Sequence, residues 1–269
     1  MHDYSESGRD LLAAVEPVVV ALSDVIATDR AMLVGAQCRD LLHWRYGCTS
    51  QLRRTSDVDV AVALRDWSQF DAIRQRFDAV GLTGHRFLVA NVPTDLIPFG
   101  EVEMPPGTTP GPSGSGELNV HGFSDAYRHA DALALADGVS VRVPTAAGFA
   151  VLKLHAWLDR SPDHNYKDGP DLALAVHWYA QDADRLWYER HFWALETYEF
   201  DVLTASAALL GSDIRESLSN GELQVLAARL AVADIDLLAH HFQPETGAWP
   251  STVASQREIV DVLIKQLAL

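Results

Sequence analysis

The stretch DVDVAVAL, residues 57–64, alternates aspartate with valine before it becomes wholly apolar. Successive side chains of a β-strand point to opposite faces of a sheet, so this period of two predicts a strand. Asp57 and Asp59 then project from one face, and Val58 and Val60 project from the other. Two carboxylates side by side on a strand are the first chemical signal in the chain, although solvated strand faces also carry this spacing.

A third carboxylate follows on the next pair of predicted strands. The run HRFLVA at 85–90 predicts a strand, NVP at 91–93 predicts a turn, and TDLIPFG at 94–100 predicts a second strand. So short a connection favours an antiparallel hairpin, which brings Asp95 to the mouth of the sheet that carries the aspartate pair. Carboxylate oxygens are the ligands that Mg²⁺ or Mn²⁺ prefers, so we expect a divalent cation there.

The order of the remaining elements predicts an α+β fold in two domains. The run AMLVG at 31–35 predicts a strand, and a helix over 36–46 is expected to begin directly after Gly35. Other expected elements are a helix over 67–80, an exposed loop over 104–117 and short strands at 132–135 and 139–143. Later apolar residues recur at spacings of three and four, which indicates helices. We therefore expect a domain over 1–144 with a mixed β-sheet flanked by helices, and an all-helical domain over 145–269.

The composition restricts the classes of protein to which the chain can belong. It has 269 residues, 48% of them hydrophobic, a net charge of −16 and two cysteines. Two cysteines do not build a disulfide framework, and no long uncharged apolar run occurs, so we expect a cytoplasmic protein that does not span a membrane. The acidic balance opposes nonspecific binding to nucleic acid. Positive charge is densest at Arg39, Arg45, Arg53 and Arg54, which either bind an anion or only offset the acidic surface.

Three stretches together resemble a known superfamily. The series LVGAQCRDLL, LRRTSDVDVAV and TDLIPFG resembles the DNA polymerase beta-like nucleotidyltransferases, in which a glycine-led helix precedes a strand with two aspartates and a later strand bears a third. The run VLKLHAWLDR, followed by KDGPDLALAV, is similar to the lysine helix and following aspartate motif of the AbiEii-type nucleotidyltransferase toxins. The resemblance covers roughly residues 30–180.

The resemblance implies roles for individual residues. Asp57, Asp59 and Asp95 match the metal-binding carboxylates, and Gly35 matches the glycine that opens the nucleotide-binding helix. Lys153 matches a lysine expected near the nucleotide phosphates, and either Asp168 or Asp171 matches the acidic residue of the next helix. We also expect nucleotide contacts from Arg39, Arg53 and Thr55. Ala36 departs from the family pattern, which has a second small residue, Gly or Ser, after the first glycine; the backbone amides at the helix start still suit a phosphate.

The function that the resemblance implies is transfer of a nucleoside monophosphate from an NTP, such as ATP, to a hydroxyl acceptor. As in toxin–antitoxin or abortive-infection systems, the acceptor is expected to be a tRNA end or a protein hydroxyl, and an antitoxin is an expected partner. One alternative is a small-molecule enzyme of the aminoglycoside-modifying kind, since an acidic protein attracts cationic substrates. The other alternative is a noncatalytic interaction protein that retains the fold.

Overall fold

The computed structural model describes residues 11–111, 116–135, 138–245 and 249–268. The chain divides into two compact units. The first takes in the described residues as far as Leu42 together with Arg54–Thr145, and the second takes in His43–Arg53 and the described residues from Ala146 onward. The change of unit at Thr145 lies one residue from the expected domain boundary, but the return of His43–Arg53 to the second unit was not expected from the sequence.

The first unit is built on a mixed β-sheet of seven strands in the order β3-β4-β5-β2-β1-β9-β8. The strands are β1 Ala31–Val34, β2 Val58–Leu64, β3 Asp78–Ala79, β4 Arg86–Val89, β5 Val92–Gly100, β8 Asp131–Ala134 and β9 Ser140–Val143. A separate two-stranded sheet pairs β6, Thr108–Pro110, with β7, Glu117–Asn119. These last strands lie within or beside the expected loop over 104–117, of which residues 112–115 are outside the described part of the chain.

Strand β2 is the central strand of the large sheet and is paired on both edges. It runs antiparallel to β1 and parallel to β5. The side chains of Val58, Val60 and Val62 are fully buried, as the alternating pattern predicts. Burial of one apolar face fixes the register of the strand, because a slip by one residue would turn that face to solvent.

In the described part of the first unit, the sheet is accompanied by the helices α1 Val15–Leu22, α2 Gly35–Arg45, α3 Trp67–Arg76 and α4 Phe123–Arg128, with the last three residues of α2 assigned to the second unit. Helix α3 begins where the Asp66 side chain accepts a hydrogen bond from the Ser68 amide at 2.8 Å. It ends at Arg76, four residues before the expected end at 80. The reason is that Asp78 and Ala79 pair with β4 as a short edge strand.

The second unit is helical. Its helices are α5 Ala146–Arg160, α6 Asp168–Gln181, α7 Phe192–Thr197, α8 Val202–Ser217, α9 Asn220–Ala231, α10 Ile235–His241 and α11 Val253–Lys265. The indole of Trp178, on α6, is fully buried, and its Nε1 donates to His43 Nδ1 at 3.0 Å. Tyr46 stacks on the same indole with 6.0 Å between ring centroids. These contacts explain why His43–Arg53 belongs to this unit.

The expected fold class is confirmed: a mixed sheet with helices occupies the first half of the chain, and helices predominate after residue 146 or so. In the described part of the chain, every helix is too short or too polar to cross a lipid bilayer.

The core around β5 gives a first test of the fold. Leu96 is completely buried beside β2, whereas Leu88 on β4 is 39% exposed. We expect Leu96→Ala to lower the free energy of unfolding by about 2–5 kcal/mol, because it removes buried methyl groups and leaves a cavity. Leu88→Ala should change it by no more than about 0.5 kcal/mol. Urea denaturation followed by circular dichroism measures both values, and equal effects would contradict this register of β5.

Candidate active site

A row of residues crosses four strands of the large sheet at one level. Val34 on β1 is paired with Asp59 on β2, and Asp59 is paired with Asp95 on β5. Asp95 is paired in turn with Arg86 on β4. Residues directly opposite each other in a sheet project from the same face, so Asp59, Asp95 and Arg86 stand side by side.

Asp57 lies just before β2 and is joined to this row by Arg86. The Arg86 guanidinium forms an ion pair with Asp57 Oδ2 through Nη2 and another with Asp95 Oδ1 through Nε, the second at 3.0 Å. The Thr55 hydroxyl donates to Asp57 Oδ1. One arginine therefore holds two of the three expected carboxylates together, and Thr55 orients one of them.

Asp95 is a largely buried carboxylate of this row. Its side chain is 21% exposed. Burial raises the pKa of Asp95, and the charge of Asp57 raises it further, while the nearby Arg86 and His85 act in the opposite direction. Burial prevails, so Asp95 binds a proton more tightly than an exposed aspartate. A carboxylate of this kind is suited to accept a proton from a reacting hydroxyl.

Gly35 provides the space that Asp59 occupies. Strand β1 ends at Val34, and α2 begins at Gly35, whose φ of +65° lies in the left-handed region that favours glycine. A Cβ atom built on Gly35 would overlap Oδ2 of Asp59. A glycine is therefore required at position 35 for two reasons: the turn from strand to helix needs a positive φ, and the adjacent Asp59 carboxylate occupies the space of a Cβ atom. Ala36, the second residue of α2, is half-buried.

The donor chemistry of the aspartates suits a divalent cation, but Arg86 already supplies positive charge to two of them. Among the residues that the structure describes, no group of three or more His, Cys, Asp and Glu side chains is arranged to hold a metal ion. Asp57, Asp59 and Asp95 remain the oxygen ligands that would hold Mg²⁺ or Mn²⁺. To bind between Asp57 and Asp95, a cation has to displace the guanidinium.

A second cluster of charged residues lies wholly within the second unit. Lys153 on α5 contacts Asp168 Oδ1 at 3.1 Å and Asp171 Oδ2 at 2.7 Å, both on α6. Arg160 Nη1 contacts Asp168 Oδ2 at 3.0 Å, and Arg53 Nη2 contacts Asp171 Oδ2 at 2.7 Å. The two aspartates are almost completely buried, and the Lys153 side chain is 12% exposed. Each buried carboxylate thus has two basic partners.

The aspartates keep Lys153 charged. Burial alone would lower the pKa of Lys153, but the charges of Asp171 and Asp168 and their hydrogen bonds outweigh it, so the pKa is raised. The lysine, expected from the resemblance to lie near phosphates, is here an internal counter-ion that ties α5 to α6. Both candidates for the acidic residue, Asp168 and Asp171, contact it.

The two arginines expected to contact a nucleotide are engaged with protein groups. Arg39 is 1% exposed, and its guanidinium donates to Asp40 at 2.7 and 2.9 Å. Arg53 is 35% exposed; besides Asp171, its Nη2 donates to the Lys167 carbonyl at 3.2 Å. Arg39 belongs to the first unit and Arg53 to the second, so the arginine-rich stretch of the sequence divides between two folding units.

Arg86 is the residue that sequence reasoning missed. The sequence signal was Asn91, since asparagine tolerates positive φ better than most residues. In the structure, Ala90 and Asn91 both have positive φ and form a two-residue turn. Such a turn pairs Val89 with Val92, and counting outward pairs Arg86 with Asp95. The expected turn over 91–93 gives a different register and hides this partner.

Comparison with known proteins adds no family assignment. No protein-family model matches the chain, and no curated protein matches it. Inferences about function therefore depend on the residues and their geometry.

Substitution of Gly35 tests the close approach of Asp59. We expect Gly35→Ala to destabilise the protein by more than Gly81→Ala, a matched change at an exposed glycine with φ +75° and no neighbouring atoms within 4 Å. The control Gly81→Ala should lose only the free energy needed to place a residue with a side chain in the left-handed region, about 1–2 kcal/mol. Gly35→Ala also has to move Asp59. Chemical denaturation compares the two, and equal losses would show that Asp59 does not need this space.

Lys153 offers a test of the buried charge cluster. We expect Lys153→Met to lower the free energy of unfolding by about 3 kcal/mol, near the low end for a broken buried pair, because Arg53 and Arg160 still contact the carboxylates. Lys167→Met, at an exposed lysine, should change it by about 0.5 kcal/mol or less.

The pH dependence of this loss follows from the raised pKa of Lys153. A lysine with a raised pKa contributes its full stabilisation below its unfolded pKa of 10.5, and the contribution is lost as pH rises through the folded value. The difference between wild type and Lys153→Met should therefore stay constant between about pH 6 and pH 9 in urea denaturation. A difference that vanished within this range would contradict a charged, paired Lys153.

Proposed function

We propose that the chain is a nucleotidyltransferase that transfers a nucleoside monophosphate from an NTP to a hydroxyl acceptor, with its reacting groups in the first unit. The observation that carries the proposal is the lateral pairing of Asp59 with Asp95, which puts two carboxylates on one face of the sheet, with Asp57 joined to them through Arg86. A solvated strand face does not require such convergence, nor a glycine that makes room for one of the carboxylates.

The proposed chemistry uses a divalent cation, Mg²⁺ or Mn²⁺, held by Asp57, Asp59 and Asp95. When bound, such a cation offsets the negative charge that develops on the α-phosphate and the departing diphosphate. Asp95 accepts the proton of the acceptor hydroxyl. The acceptor oxygen forms a bond to the α-phosphorus, and the bond from that phosphorus to the diphosphate breaks.

The start of α2 is part of this proposal, whereas Lys153 is not. The amides that begin α2 at Gly35 and Ala36 suit the phosphates of the nucleotide, because the start of a helix favours negative charge. For Lys153 to contact phosphate, it would have to leave Asp168 and Asp171, which are buried around it. The proposal therefore does not depend on Lys153.

The resemblance and the net charge of the protein favour different acceptors. The AbiEii-type resemblance favours an RNA acceptor, a tRNA end in particular, or a protein hydroxyl, with an antitoxin as the protein partner. The net charge of −16 favours a cationic small molecule of the aminoglycoside kind over RNA. Separate acceptor assays distinguish these substrates.

Removal of the carboxylate charge tests the proposal. We expect Asp57→Asn and Asp59→Asn each to lower transfer by on the order of 10²-fold or more, because charge stabilisation in the transition state is lost. Asp71→Asn, at an exposed aspartate on α3, is the matched control and should leave transfer unchanged. The assay incubates each labelled NTP and Mg²⁺ with total tRNA, a protein acceptor or an aminoglycoside, and circular dichroism verifies that each variant is folded.

The outcomes separate the alternatives. Label in RNA or protein supports the toxin-like acceptors, and label in the drug supports the small-molecule acceptor. Full activity of a folded Asp59→Asn protein would overturn the site, and absence of label with every acceptor would favour a noncatalytic interaction protein.

A further inference from the structure

A second concave site lies at the opposite end of the large sheet from the aspartates. A cavity of about 580 Å³ is formed where β2 ends at Leu64 and β5 ends at Gly100, beside α4. Leu64 is five residues from Asp59 along β2, a separation of about 17 Å. The cavity is within the size range of sites that bind small molecules, and it is distinct from the aspartate site.

The wall of this cavity is unusually basic for so acidic a protein. Its charged residues are Arg30, Arg65, Arg128 and Arg142 on the positive side, and Asp29 and Glu101 on the negative side. The chain has only 21 lysines and arginines against 37 acidic residues. Four of these 21 basic residues meet in one concave surface, where low-dielectric walls concentrate their field.

Two of these four guanidinium groups are held by backbone carbonyls. Arg30 Nη1 donates to the Ala63 carbonyl at 3.3 Å. Arg142 donates from Nε to the Asp29 carbonyl at 3.0 Å and from Nη1 to the Ala130 carbonyl at 3.3 Å. Over the described ranges of the chain, Arg30, Arg65 and Arg142 form no ion pair, whereas Arg128 pairs with Asp125 at 2.6 Å. Three arginines of the wall therefore have no direct ion pair with a protein carboxylate, and Asp29 and Glu101 are the acidic residues that share the cavity with them.

Arg142 is fixed in place before any ligand arrives. Its guanidinium lies 4.6 Å from the ring centroid of Tyr127, and the Tyr127 hydroxyl donates to the Asp29 carbonyl at 2.7 Å. The edge of that ring packs against Phe99 with 5.5 Å between centroids. An arginine has five N–H donors, and Arg142 uses two of them on carbonyls, so three remain for a ligand. An oriented planar fork of this kind matches the oxygens of phosphate.

We propose that this cavity binds a small anion bearing two or more phosphates, with Arg30, Arg65 and Arg142 as its partners. Several unpaired guanidiniums match several phosphate groups, and the cavity volume accommodates either inorganic diphosphate or a nucleoside di- or triphosphate. This site does not depend on the proposed transfer reaction, and nucleotide bound here would not contact the aspartates.

Isothermal titration calorimetry of the full chain in EDTA tests the proposal, because EDTA withholds divalent cations from the aspartates. Inorganic diphosphate and ATP are the probes. We expect saturable binding that weakens as salt is raised. Arg65→Gln should weaken it about tenfold, since one charge-assisted contact is lost and the exposed Arg65 makes few contacts in the fold. Arg30→Gln should act similarly.

Two variants serve as controls. Arg74→Gln, at an exposed arginine on α3 outside the cavity, and Asp59→Asn should both retain wild-type affinity. Equal affinities for diphosphate and ATP identify phosphate as the recognised group, and tighter binding of ATP adds contacts to the nucleoside; both support the proposal. The proposal is overturned if neither diphosphate nor ATP binds saturably at millimolar concentration, or if both arginine variants bind them as tightly as the wild type does. It is also overturned if the protein binds an RNA oligonucleotide but binds neither diphosphate nor ATP.

Discussion

Pairing of β2 with neighbours on both edges is the constraint on which the rest of the first unit depends. The apolar face of β2 fixes its register, and that register decides which residues of β1 and β5 stand beside Asp59. A slip of one residue would replace Asp95 with Thr94 or Leu96 beside it and would turn the carboxylate to the other face. The valines that make DVDVAVAL a buried strand therefore also determine which residues lie beside the aspartates. The reason is that any shift of the strand by one residue also turns its side chains to the other face of the sheet.

Local patterns predicted the elements of the fold well, since period and turn residues are read from adjacent positions. They predicted β2, the step from β1 to α2 at Gly35, and the antiparallel hairpin that carries Asp95. The end of α3 was missed because Asp78 and Ala79 gain pairing with β4, a tertiary interaction that overrides helical propensity. Arg86 was missed for a narrower reason: the turn was expected over 91–93 and is formed by Ala90 and Asn91, which changes every cross-strand partner of the hairpin. The arginines at 30, 65, 128 and 142 are too far apart in sequence for any local window to group them.

The two units differ in how basic side chains offset the charge of their partly buried carboxylates. In the second unit, Asp168 and Asp171 have Lys153, Arg160 and Arg53 around them, so charges balance within a nearly dry cluster. Such clusters are costly to break and contribute little net stability, which suits a role in fixing how α5 and α6 pack. In the first unit, one half-buried arginine faces two carboxylates, and burial still raises the pKa of Asp95. The balance there is incomplete, and the proposed divalent cation would complete it.

Charge segregation within the sheet explains how acidic and basic sites coexist in one small unit. The aspartates stand at the start of β2 and the arginine-lined cavity at its end, with the buried residues Val60, Ala61 and Val62 between them. Side chains that are anchored by carbonyls, as Arg30 and Arg142 are, cannot cross about 17 Å of packed strand to neutralise the aspartates. Arg86 reaches Asp57 and Asp95 because it lies on β4, the hairpin partner of β5. The same apolar strand that aligns the aspartates thus also separates them from the arginine-lined cavity at its other end.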